Sequence, residues 1–312
     1  MYRRIKKTIK MIDSSGQLYY SLRSYYLRIK NLFTPNGYFR NYILFPICGF
    51  FRIHHMLWFD KKCKEIEKYK DIHRGERCFV IATGPSMTIE DLNLLKNEFT
   101  ISMNRIFYIY DKTEFRPTYY VGLEPQLAQF FFDTVGLTTM KHLAKDAVFL
   151  NSANKRKEEG IIYLPYCHLD HWFRCGDPKF DASKSLKYST DLVWGLYDKY
   201  SCTPAAIEIA AYMGFEQIIL VGVDCDYVAP KKQFFENEII EYPKETIRVF
   251  EKQNEDMIIG YRFLETEMTK RGITVLNATR GGRLEEFKRV DLDKIIKENV
   301  HSFSPSRNSY EQ

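Results

Sequence analysis

The residues best suited to chemistry sit in short clusters, each behind an apolar run. Thr83-Gly84-Pro85-Ser86 follows Cys78-Phe79-Val80-Ile81-Ala82 and precedes Thr88-Ile89-Glu90-Asp91. A glycine here lets the backbone approach a ligand, the helix that follows offers unpaired N–H groups, and Ser86 adds a hydroxyl. Such a turn suits a phosphate, because those donors and the helix dipole both favour negative charge. It matches neither G-x-G-x-x-G nor the Walker pattern, and a purely structural turn would use the same residue types.

Further polar residues follow other apolar runs: Asn104 and Arg105, then Glu124 and Gln126, then Asp224 and Asp226, and finally Asn277 and Thr279. In a doubly wound sheet such strand ends converge on one crevice. There Asn104 suits a base or ribose, Arg105 a phosphate, and Asp224 or Asp226 a general base; equally, Asp224 could cap the next segment and Arg105 be a solvated charge. Ser201-Cys202-Thr203 opens a helix whose first amides could hold a base or carboxylate, although an ordinary N-cap uses the same residues. Cys167-His168-x-x-His171-x-x-x-Cys175 has zinc-ligand types without the paired spacing of a complete site. No metal is therefore expected, and His168 stands as a candidate base because imidazole titrates near neutral pH.

The elements that must position these groups read as alternating strands and helices. Apolar runs at 78–82, 99–103, 118–122, 147–150, 161–164, 217–222 and 273–276 suit buried parallel strands. Between them lie a helix that opens at Thr88-Ile89-Glu90-Asp91, a capping-box-like start with Asp in place of Glu or Gln, and runs to Asn97, and helices expected at Ala205–Met213 (ended by Gly214) and Lys244–Arg271 (ended by Gly272). The fold class is α/β: a Rossmann-like, mostly parallel sheet with helices on both faces, occupying residues 66–299. Residues 300–312 read as a disordered tail.

The net charge of +6 is unevenly distributed: residues 1–60 hold ten Lys/Arg against two acids, so the remainder of the chain is about −2. A body without its own basic face argues against nucleic acid as a partner. Residues 1–65 form a basic, aromatic extension expected to be helical. Its longest apolar run, Tyr42 to Phe51, is interrupted by Pro46 and Gly49 and is about half the roughly twenty residues a spanning helix needs. Such a segment fits an anionic membrane surface, or helices packed on the body with their charges solvated. The start, Met1-Tyr2-Arg3-Arg4, runs into polar residues, so no signal peptide is expected. Seven scattered cysteines read as free thiols of a reducing compartment. The expected location is cytoplasmic, peripheral on the inner membrane face.

Taken in order, Ile81-Ala82-Thr83-Gly84-Pro85-Ser86, Met103-Asn104-Arg105, Glu124-Pro125-Gln126, the Gly214–Asp224 stretch ending in Gly222-Val223-Asp224, and Asn277-Ala278-Thr279-Arg280-Gly281-Gly282 resemble a superfamily. It joins motility-accessory-factor flagellin glycosyltransferases, 6-hydroxymethylpterin pyrophosphokinase-like proteins and small bacterial sialyltransferases of glycosyltransferase family 42. The resemblance covers about residues 77–292. It implies that Thr83, Gly84, Pro85, Ser86 and Asn104 hold the CMP part of a CMP-sugar, and that Tyr227 lies near the place of a tyrosine steadying the leaving phosphate. The base histidine of those sialyltransferases has no counterpart, since the corresponding region here runs from Arg248 to Asn254.

The implied activity is a glycosyltransferase using a nucleotide-activated sugar, of CMP-nonulosonate type, on a glycan or lipid-linked glycan acceptor, with no cofactor. The alternatives are a pyrophosphokinase of the pterin type, with Mg²⁺ held by acids such as Glu124, Asp224 and Asp226, and a non-catalytic scaffold of a glycan-assembly complex.

Overall fold

A computed structural model of the chain describes residues 18, 22, 25, 26, 29, 39–54, 65–124, 140–151, 160–167, 181–226, 233–235 and 244–298. Eight strands form one parallel sheet. In chain order they are β1 (Arg77–Ile81), β2 (Thr100–Met103), β3 (Tyr119–Gly122), β4 (Ala147–Asn151) and β5 (Ile161–Leu164), then β8 (Gln217–Val221), β9 (Thr274–Asn277) and β10 (Lys288–Arg289). Two short strands, β6 (Tyr166–Cys167) and β7 (Leu196–Tyr197), pair separately. The spatial order is β10-β9-β8-β1-β2-β3-β4-β5. From β1 the chain winds outward to β5, then returns to β8 on the other side of β1. The switch point of the sheet therefore falls between β1 and β8, where an α/β sheet opens a crevice at the carboxyl ends of its strands.

Burial on both faces explains why these strands are continuous apolar runs. Cys78 and Val80 face a core shared with Ile101, Met103 and Val121, and with helix α3 (Cys202–Tyr212) and the long helix α4 (Lys244–Thr269). Phe79 and Ile81 face the opposite core with Tyr120, Ile219, Leu92 of α2 (Ile89–Leu94) and Ile295 of α5 (Leu292–Glu298). Successive side chains thus alternate between two helical layers, as strand geometry requires. The helix expected to open at Thr88 does so, with Thr88 as its N-cap and Ile89 its first residue, and it ends at Leu94, short of the expected Asn97.

Part of the basic N-terminal extension packs on the body. A π-helical turn, Arg40–Leu44, runs into α1 (Phe45–Ile53), with Pro46 in the first turn where no amide is needed. Phe45, Gly49 and Arg52 face inward at helical spacing. Among the described residues no helix is long and apolar enough to cross a membrane, and Cys48, Cys78, Cys167, Cys202 and Cys225 are free thiols.

Candidate functional site

The loop after β1 and the loop after β8 meet directly. Gly84 N–H donates to the Gly222 carbonyl at 2.9 Å, continuing the β1–β8 pairing beyond the strands. Ser86 then offers two donors to one oxygen of Asp224: its hydroxyl at 2.8 Å and its backbone N–H at 3.3 Å. The carboxylate lies so close over the turn that a Cβ on Gly84 would come within 1.9 Å of Asp224 Oδ2 and 2.5 Å of the Gly222 carbonyl. Only glycine permits this approach. Gly222 (φ +71°) is equally constrained, because its Cβ would meet Met87 at 2.2 Å.

The loop expected to receive an anion thus already holds one, from its own chain. Three amides just beyond it are also occupied: Met87 N–H donates to the Gly84 carbonyl, and those of Thr88 and Asp91 are held in a reciprocal capping box. Asp224 is 8% exposed. Burial pushes its carboxyl above the usual carboxylate range and neighbouring Asp226 adds to the rise, while the two Ser86 hydrogen bonds oppose it. Asp226 Oδ1 is enclosed without a hydrogen-bond partner among the described residues. Its other oxygen lies 3.5 Å from Arg283, whose side chain is half exposed and so interacts weakly. A buried acceptor left unpaired costs about 1–3 kcal/mol, so a ligand hydroxyl, a proton or a cation would stabilise the site.

The loop after β9 braces this arrangement. Asn277 is fully buried, with its amide nitrogen on the Leu284 carbonyl (2.8 Å) and its oxygen accepting from Thr279 N–H (3.0 Å). The Thr279 hydroxyl accepts from Val223 N–H at 3.0 Å. Both residues, expected to touch a nucleotide, make these bonds within the chain and so position the strand end that carries Asp224. Arg289 holds the carbonyls of Thr279 and Gly281 at 3.0 and 2.7 Å, and Arg280 reaches Asp91 at 2.6 Å. Sequence reading passed over these arginines as binding or bracing groups, although the Arg280-Gly281-Gly282-Arg283 run was visible.

Other expected residues line the neighbouring carboxyl ends. Asn104 is exposed at the end of β2 in the left-handed region (φ 54°), a conformation asparagine tolerates better than most side chains. The Tyr120 hydroxyl donates to its carbonyl. Arg105 is half-buried beside it, and Glu124 is exposed at the end of β3. Ser201 caps α3 by position but makes no side-chain cap bond; Thr203 instead directs its hydroxyl at Met103 sulfur, 3.4 Å away. Burial pushes the Cys202 and Cys225 thiols up to about 12, so neither is a thiolate nucleophile at neutral pH.

Sequence reading also missed an aromatic wall: Phe234 N–H donates to the Thr83 carbonyl at 3.1 Å, and the adjacent Phe235 stacks on Tyr108 with centroids 5.3 Å apart. Gln126, His168, Tyr227, His171, Cys175 and residues 300–312 lie outside the described residues. Among the described residues no three His, Cys, Asp or Glu converge as a metal-holding group.

Among solved structures, the MAf glycosyltransferase from Magnetospirillum magneticum AMB-1 is similar at 13% identity and a TM-score of 0.43, covering 78% of this chain and 41% of its own. This chain therefore spans about two fifths of that protein's length. The Campylobacter jejuni sialyltransferase CstII in complex with the substrate analogue CMP-3FNeuAc is similar at 12% identity and a TM-score of 0.38, covering 69% of this chain and 86% of its own. The same enzyme with a trisaccharide acceptor and CMP gives 12%, 0.37, 69% and 86%. Likeness this distant carries no functional argument. No curated protein matches. The family profile of the 6-hydroxymethylpterin diphosphokinase MptE-like proteins matches residues 54–229, more than half of the sequence, and the chain belongs to that family.

Proposed function

We propose that this protein is a glycosyltransferase that moves a sugar from a nucleotide-activated donor, of CMP-nonulosonate type, to a hydroxyl of a glycan or lipid-linked glycan acceptor. The observation that carries this reading is Asp224: an enclosed carboxylate, raised in pKa, seated on the donors of a strand–turn–helix loop at the sheet's switch point. A base with a raised pKa is better matched to neutral pH than an ordinary carboxylate. In the reaction, Asp224 takes the acceptor proton as the acceptor oxygen bonds the anomeric carbon. The bond from that carbon to the phosphate oxygen breaks, and CMP departs with the electron pair. The Ser86 hydroxyl and amide, which now hold Asp224, are the donors the departing phosphate would use. As they turn to the phosphate, Asp224 loses two hydrogen bonds that favour its charged form and becomes a stronger base. The Tyr108–Phe235 wall offers a ring face for the nucleotide base, and Asn104 a polar partner for base or ribose. The lipid-linked acceptor fits a protein working at the cytoplasmic membrane face.

A panel of CMP- and UDP-sugars tests this reading by following nucleotide release with and without glycan acceptors. Turnover on a CMP-sugar that Asp224→Asn removes supports it. A folded protein that turns over none of the panel contradicts it.

A second reading is a Mg²⁺-dependent pyrophosphokinase transferring diphosphate from ATP to a pterin alcohol. Its support is the description of the family and the enclosed Asp226 oxygen beside Asp224. Two carboxylates suffice for a Mg²⁺ whose remaining positions are filled by phosphates and water. ATP consumption abolished by a chelator would favour this reading over sugar transfer.

A further inference from the structure

Exposed apolar side chains are concentrated in one part of the molecule. Eleven large hydrophobic residues are exposed among the described residues, and nine lie between Leu18 and Phe50. On α1 the inward face, Phe45, Gly49 and Arg52, is buried, while Ile47 (48% exposed) and Phe50 (50%) point outward, as do Ile43 and Leu44 of the turn that leads into it. Leu18, Leu22, Tyr25, Tyr26 and Ile29 are helical, exposed, and spaced to share one helix face. Scattered exposed hydrophobics need no explanation, but apolar side chains gathered in a stripe on one helix face, as in each of these two groups, mark a contact surface.

We infer that this stripe docks on an anionic lipid bilayer, lying in its interface without crossing it. The charge of the same segment selects the occupant. Ten Lys/Arg against two acids in residues 1–60 attract anionic headgroups and repel a second copy of the same segment. Apolar side chains on one helix face, with basic and aromatic residues around them, are the composition of interfacial helices.

The attachment is rigid on the protein side. Arg52, 8% exposed, donates to the Val193 carbonyl at 2.9 Å and to the Trp194 carbonyl. The Trp194 ring fills the space over Gly49, where a Cβ would lie 2.7 Å from it, and Phe45 meets Tyr197 edge-on at 5.5 Å. From Val193 the chain runs within ten residues to Ser201–Thr203, the start of α3 beside the carboxyl edge of the sheet. Docking through α1 therefore fixes the attitude of the candidate cleft to the membrane. The inference is independent of which reaction the cleft performs.

Vesicle flotation of the full chain tests it, with phosphatidylethanolamine–phosphatidylglycerol vesicles compared against phosphatidylcholine. The wild type is expected to float with the anionic vesicles and to be released from them by high salt. The double variant Ile47→Glu/Phe50→Glu is expected to lower the partition coefficient roughly a hundredfold. Lys6→Gln/Lys7→Gln, which leaves the apolar stripe untouched, is expected to lower it roughly tenfold at low salt. Circular dichroism and the unfolding midpoint should be unchanged in both. A wild type that stays with the soluble fraction overturns the inference, as does a double variant that floats unchanged. So does a wild-type dimer that the double variant converts to a monomer, since the stripe would then be a self-interface. Flotation is read without turnover, so its failure and a failure of the transfer reaction are separate results.

Discussion

The two edges of the sheet are built from the same strands yet differ in kind. At the amino edge, the His73 ring stacks on Phe215 with centroids 4.3 Å apart, and its Nε2 is 2.7 Å from the Tyr119 hydroxyl while Nδ1 meets Glu76. Backbone bonds from Asp71 and His73 to Tyr212 and Met213 close the same region at 3.0 and 2.8 Å. Both His73 ring nitrogens are paired and the rings are packed, and the Tyr212 hydroxyl alone of those named is enclosed without a partner among the described residues. Among the described residues, three non-glycine residues at the carboxyl edge (Asn104, Tyr200 and Cys225) adopt left-handed backbone, against one, Asp71, at the other. At the carboxyl edge Asp224 is buried with a raised pKa, and Asp226 keeps an enclosed oxygen without a donor among the described residues. Strain and unmatched charge persist only where the surroundings over-determine them, and they cluster where a protein binds or reacts. One edge is organised for stability; the other carries groups that a ligand would complete.

Glycine substitutions should break this contrast most sharply. Gly84→Ala forces a Cβ into Asp224 and Gly222, and is expected to abolish sugar transfer, a loss of roughly a thousandfold or more, because the cradle and base are displaced together. At the amino edge Gly75 (φ +79°) has no atom within 4 Å of where a Cβ would sit, so Gly75→Ala should cost about 1 kcal/mol of stability through backbone strain and leave turnover intact. Steady-state rates and thermal unfolding of the two variants measure both effects.

Asp224→Asn is expected to slow transfer by about a hundredfold to ten-thousandfold, yet to stabilise the protein at neutral pH. The folded pKa of Asp224 is raised, so its contribution to stability is fully present below the ordinary carboxylate range and is lost as pH rises through the folded value. The unfolding midpoint of the variant should therefore exceed that of the wild type at neutral pH, with the advantage shrinking in acid. A pH series of melts reads this directly. The smallest effect on chemistry belongs to the opposite edge: His73→Ala should cost about 2–4 kcal/mol in stability while leaving KM for the donor unchanged below its melting range.

Most of the sheet was legible in the sequence because strands buried on both faces cannot hide their apolar runs: β1, β2, β3, β4, β5, β8 and β9 lie within one or two residues of where the pattern put them. The two-residue strands β6, β7 and β10 were not, since a pair of residues carries no periodicity. The capping box at Thr88 and Asp91 was readable, as was the grouping of the candidate polar residues behind strands. Their division of labour was not. Ser86 and Asp224 are 138 residues apart, and nothing local says that they pair. Asn277 has the residue type of a ligand contact and of a buried brace alike, and only its complete enclosure distinguishes them.

The central claim is that a nucleotide phosphate takes the donors Ser86 now gives to Asp224. Titrating CMP into the wild type and Ser86→Ala, followed by thermal unfolding, tests it most directly. At a hundred times its dissociation constant CMP should stabilise the wild type by about 2.7 kcal/mol, and Ser86→Ala should weaken binding roughly tenfold. Equal stabilisation of both proteins by CMP, or of neither, would contradict the account.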